Sequence, residues 1–196
     1  MNKEWAELNK TMQLQIKKKE TFAMGIDTLL ALRKTLMEQI LQFKNELSPE
    51  DFSAMPYMNA KGYHNKTIAY SLWHIFRIED IVVHSLIAGD EQVFFQKDYQ
   101  KRINSPIITT GNELVKEEIR NFSEQLSLKE LYHYITDVDK STTQILRALA
   151  YSDIKLKITD EKRRNLELLN VVSNDENAYW LIDYWCTKDV KGLIQM

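Results

Sequence analysis

An all-α fold is what this sequence predicts, on three observations. Glycine and proline are scarce, five and three in 196 residues. Neither occurs between Gly111 and Gly192, whereas a sheet protein of this length needs many tight turns built from those two residues. Apolar residues also recur at steps of three and four over long stretches, the period of a helix face. The expected architecture is an up-and-down bundle of about four main helices, with a long crossover and short additional helices.

In the first long helix Phe22, Ile26, Leu29, Leu36, Ile40, Phe43 and Leu47 align along one stripe, and the helix is expected to end near Ser48. Ser48-Pro49-Glu50-Asp51 then reads as a short helical turn, with serine as cap, proline at the first position and acids at the positive end of the dipole. Residues 54–66, with Pro56 and Gly62, are expected as loop. A second helix runs from Thr67 to Ala88 and stops at Gly89; it is apolar nearly all round, as suits a helix with neighbours on several sides.

Residues 90–110, containing Pro106, are expected as an extended crossover, with a third helical region beginning near Asn112. Ser127-Leu128-Lys129-Glu130 has capping-box spacing and should open a fresh helix. Behind it Leu128, Leu131, Ile135, Val138, Thr142, Ile145 and Leu149 alternate steps of three and four, the seam of a helix packed along a partner at a shallow angle. Further helices are expected from Asp160 to about Asn170 and from Asn177 to Val190. The second of these carries Tyr179, Trp180, Tyr184 and Trp185, which read as core or dimer contact.

The length fits one domain spanning residues 1–196. Charges nearly balance, 26 Lys and Arg against 28 Asp and Glu, so no overall field favours nucleic acid. The run Lys17-Lys18-Lys19 reads as a solvated helix face. Cys186 is the only cysteine, which leaves no internal disulfide and no Cys-rich zinc site and suits a reducing compartment. With no apolar leader at the N-terminus and no membrane-length apolar run, the expectation is a soluble, cytoplasmic protein.

Chemistry rests on four histidines, His64, His74, His84 and His133. His74, in SLWHIFRIED, can be a metal ligand, an acid/base group or a hydrogen-bonded core residue. Its own helix face offers Tyr70, Arg77, Ile78 and Ile81 and no carboxylate, so a second ligand must come from another helix. Asp80 with His84, and His133 with Asp137, have the i, i+4 spacing that presents two ligands to one metal, a spacing chance also supplies in a chain with 28 acidic residues. His64 falls in a loop and takes no role. Cys186 has no histidine near it in sequence and reads as structural. The chain carries no G-x-S-x-G, no Gly-rich phosphate loop and no H-E-x-x-H.

The stretch TIAYSLWHIFRIEDIVVHSLIAG, residues 67–89, resembles the second helix of the DinB superfamily, and the order of elements along most of the chain is similar as well. The resemblance implies a four-helix bundle, a homodimer, and a divalent metal, nickel or zinc. In the family that metal is held by a histidine at the position of His74 and by an H-x-x-x-H pair on the last main helix. It also implies metal-activated thiol transfer, with a thiol such as bacillithiol or mycothiol, or hydrolysis. Residues 1–196 contain no H-x-x-x-H, so the carry-over reaches His74 and no further. Either the protein has lost the pair, or the pair lies beyond Met196.

Two function classes follow. In the first, His74 contributes to a divalent-metal site that supports a transferase-like or hydrolytic reaction. In the second, the bundle is a non-catalytic interaction or small-molecule-binding module of a stress response, and His74 is a core polar group.

Overall fold

The computed structural model describes residues 3–196, whose regular elements are all helices, with no β-strand among the described residues. The helices are α1 (Lys3–Ile16), α2 (Phe22–Glu46), α3 (Pro49–Ser53), α4 (Ile68–Asp80), α5 (Val93–Gln96) and α6 (Tyr99–Ile103). They continue with α7 (Glu117–Gln125), α8 (Leu128–Ala148), α9 (Asp160–Leu169), α10 (Glu176–Cys186) and α11 (Val190–Ile194).

Helix α1 precedes every element expected from the sequence. Its buried residues Met12 and Ile16 lie four apart on one face and turn that face onto α2. The two helices cross closely because residue 25 is glycine: a Cβ there would stand 2.7 Å from Ile16 Cγ1 and 2.8 Å from Ile16 N. The Thr28 hydroxyl donates to Gln15 Oε1 at 2.8 Å and ties the same hairpin.

Ser48 opens α3 as anticipated, with its backbone N–H donating to the Asp51 carboxylate at 2.8 Å. Thr67 caps α4 through the Tyr70 N–H. The second long helix reaches Ala88 without a break, but its hydrogen bonding changes at Ile81, so that Ile81–Ala88 is π-helical. Gly89 ends it at φ +78°, its N–H donating to the His84 carbonyl at 2.7 Å. The terminal carbonyls of Leu86 and Ile87 are met instead by the Lys162 ammonium of α9, at 2.7 and 3.1 Å.

Three expectations are corrected. The crossover is not extended, because the buried carboxylate of Asp80 accepts from the N–H groups of Val93 and Phe94, both at 2.9 Å, and so nucleates α5. The third helical region starts at Glu117, after a turn in which the Leu114 N–H bonds to the Gly111 carbonyl. The last helix breaks at Cys186, since Asp189 caps a separate α11 through the Gly192 N–H at 2.8 Å. The capping box at Ser127 is half formed: Ser127 accepts from the Glu130 N–H, while the Glu130 carboxylate faces Arg102 and His133.

Along α8 the seam is as read, with Leu131, Ile135, Val138 and Thr142 buried. It packs on α4 through interlocked rings. Trp73 lies 5.5 Å from both Phe94 and Phe122, and Tyr134 lies 5.1 Å from Tyr99, centroid to centroid. A second apolar cluster joins the π-helical segment to α9, α10 and α11 around Leu166, Leu181 and Trp185, and a third fills the α1–α2 hairpin. The aromatics of α10 divide: Trp185 is buried, whereas Trp180 and Tyr184 are half exposed.

Candidate functional site

Between the second and third clusters lies a half-open cleft of about 390 Å³, walled by α2, α4, the π-helical segment, α8, α10 and α11. Its walls are mostly aliphatic and aromatic, including Ile78, Val82, Leu181, Trp185 and Leu193. Two polar features interrupt them, an ion cluster on one side and His74 on the other.

The cluster centres on Arg33. Its guanidinium forms a two-bond fork with the Glu79 carboxylate, at 2.8 and 2.7 Å, and donates from Nη2 to Asp139 at 2.8 Å. The Thr142 hydroxyl donates to the same Glu79 oxygen at 2.7 Å. One cation thus faces two carboxylates from three helices, and all three charged side chains are largely withdrawn from solvent, at 17%, 15% and 26% exposure.

His74 is half-buried on α4, its ring stacked on Tyr70 at 5.6 Å between centroids. Nδ1 lies 2.8 Å from the Thr110 carbonyl, and since a carbonyl only accepts, Nδ1 carries the hydrogen. Burial lowers the imidazole pKa from its ordinary value, the Thr110 bond opposes, nearby Lys66 adds to the lowering, and Glu113 raises it. In the neutral ring so favoured, Nε2 presents a lone pair.

That tautomer is the one a metal-ligating histidine uses. The companions are missing, however: no three His, Cys, Asp or Glu side chains group to hold a metal among the described residues. The residues present therefore do not fit the three-ligand site that the family resemblance implies.

The two i, i+4 pairs are not brought together as ligand pairs. Asp80 is fully enclosed, and besides the α5 N–H groups it accepts from the Tyr134 hydroxyl at 2.9 Å and faces Arg77 Nη1 at 3.5 Å. Burial raises its pKa, with Arg77 and the Phe94 N–H opposing. His84 Nε2 stands 3.8 Å from Asp80, but its hydrogen-bond partners are elsewhere. Nδ1 meets Asp90 at 2.6 Å, and Nε2 meets the Ser141 hydroxyl at 3.1 Å.

This chain of carboxylate, imidazole and hydroxyl has the connectivity of a nucleophile relay. Ser141 sits inside α8, where backbone N–H groups serve the helix ladder and none of its own turn is free as an oxyanion donor. The chain reads as a tie between the π-helical segment and α8. His133 pairs with Glu130 at 3.3 Å, while Asp137 takes Lys97 at 2.9 Å and the Tyr99 hydroxyl at 2.6 Å. His64 is exposed beside Tyr57, and Cys186 is half-buried against the second cluster.

Arg33, Glu79, Asp139 and Thr142 are functional candidates that reading the sequence for histidines missed. A signal was there: Arg33 shares a face of α2 with Ile26, Leu30, Met37 and Ile40, all buried, whereas Leu36 and Phe43 of the expected stripe are exposed. A charge on a buried stripe needs a partner across the bundle.

The described residues thus form an all-helical protein with one mostly apolar cleft beside His74 and Arg33. No protein-family model, curated protein or solved structure matches the chain. No helix among the described residues is long and apolar enough to cross a membrane.

Proposed function

We propose that this chain is a DinB-like helical bundle acting as a non-catalytic small-molecule-binding protein, with the cleft beside His74 as its binding site. The cleft carries the reading. It is concave, about 390 Å³, apolar over most of its wall and furnished with a few convergent polar groups, the attributes of small-molecule sites in general. The up-and-down topology, a homodimer and a role in stress response belong to the same reading through the resemblance of residues 67–89, and a cytoplasmic location through the lone cysteine. For the dimer, half-exposed Trp180 and Tyr184 offer apolar surface. The metal-dependent transferase or hydrolase is less well supported, because His74 has no ligating companions among the described residues.

Thermal unfolding of the full chain with added octan-1-ol, an uncharged apolar probe, tests the reading. Ile78→Trp serves as a control that fills the cleft and leaves its polar groups in place. A saturable rise in Tm in the unsubstituted chain, absent in Ile78→Trp, is expected. No rise, or the same rise in both, overturns it.

A further inference from the structure

Most of the polar groups that line the cleft are, from a ligand's side, acceptors, Tyr184 alone adding a hydroxyl that can also donate. Thr142 uses its only hydroxyl hydrogen on Glu79 and has lone pairs to offer. Glu79 Oε1 already accepts from both Arg33 and Thr142, but Oε2 accepts only from Arg33 Nη1 and keeps a free site. His74 gives its Nδ1 hydrogen to Thr110, so Nε2 is a lone pair. Arg33 does not reverse this pattern: its guanidinium is clamped by Glu79 and Asp139, and its Nε–H, though unpaired, is enclosed by protein and out of a ligand's reach.

The charge has the same sense. One guanidinium against two carboxylates leaves the cluster at a formal −1, in surroundings shielded from water. A carboxylate ligand would meet acceptors and a repulsive field. A ligand with hydrogens to donate and a positive charge would meet complements to both.

We infer that the cleft takes an apolar primary amine, its ammonium donating toward Thr142 and Glu79 and its hydrocarbon body lying against Ile78, Val82, Leu181 and Trp185. The inference rests on the reading of the cleft as a binding site and adds the chemical class of ligand. The amine is bound and not transformed, so no bond forms or breaks.

The test compares three probes of one chain length on the full protein, n-octylamine, octan-1-ol and octanoate, by calorimetric titration at neutral pH. Octylamine is expected to bind about tenfold more tightly than octanol, as a charge-assisted hydrogen bond replaces a neutral one, and octanoate most weakly. Glu79→Gln, which removes the net charge of the cluster, should cut octylamine affinity about tenfold and octanol affinity less. Ile78→Trp should abolish binding of all three. Octanoate binding as tightly as octylamine, or octylamine binding no better than octanol, overturns the amine assignment while the cleft stands as a site. No binding by any of the three overturns the cleft reading itself.

Discussion

The carboxylate of Asp80 receives the backbone N–H of Phe94 at 2.9 Å, so a residue inside the second long helix anchors the start of the crossover that follows it. The contact is enclosed, and Arg77, Tyr134 and Val93 complete its shell. Replacing Asp80 by alanine orphans two buried N–H groups and a guanidinium at once, and is expected to cost about 3–5 kcal/mol. Urea unfolding of Asp80→Ala measures it, with hydrogen exchange over residues 93–103 as the local readout. A loss below about 1 kcal/mol would show that water replaces the carboxylate without penalty.

Gly25 sets the approach of α1 to α2. In an exposed helix, Gly→Ala is worth up to about 1 kcal/mol of added stability. Here the new Cβ would meet the backbone N of Ile16 at 2.8 Å, which a rotamer change cannot relieve. Gly25→Ala is therefore expected to destabilise by about 1–3 kcal/mol, read as a lower urea midpoint. An unchanged or raised midpoint would mean that α1 shifts freely on α2.

Cys186 is a single-site pH probe. Burial raises its thiol pKa from the ordinary value of 9.0, Arg163 opposing while Asp183 and Glu167 add to the rise. Thiolate is the reactive form, so at pH 8 the folded chain should react with iodoacetamide more slowly than the urea-unfolded chain. The half-maximal rate should fall above pH 9.0. By linkage, a thiol raised on folding contributes stability that is full below its unfolded value and is lost as pH climbs through the folded one. A half-maximal rate at or below pH 9.0 contradicts the burial.

Nickel and zinc content separates the two function classes. With no group of three potential ligands among the described residues, untagged protein prepared without chelator is expected to carry well under one metal per chain. His74→Ala should carry the same. One equivalent in the wild type that disappears in His74→Ala would restore the enzyme reading.

Much of the helical frame was legible in the sequence because its signals are local. Thr67 and Ser127 cap by reaching N–H groups three residues on, Gly89 stops a helix by adopting a conformation other residues avoid, and the α8 stripe needs only a period of three and four. Helix α1 was less visible, since its buried face comes down to Met12 and Ile16, and both need Gly25 opposite to pack. The crossover was misread because what makes α5 helical is a carboxylate thirteen residues earlier, brought to it by the fold.

For the site, the amino-acid sequence shows only which groups are available: four histidines, one cysteine, and an arginine within α2. Tertiary structure alone decided their partners. His84 turns from Asp80, four residues away, to Ser141, fifty-seven away, and Arg33 reaches Glu79 and Asp139 on two other helices. The reason is physical. Helix period fixes which residues share a face, but a buried charge or imidazole bonds whatever complementary group the packing of other helices delivers within about 3 Å, and that distance is set by the whole fold.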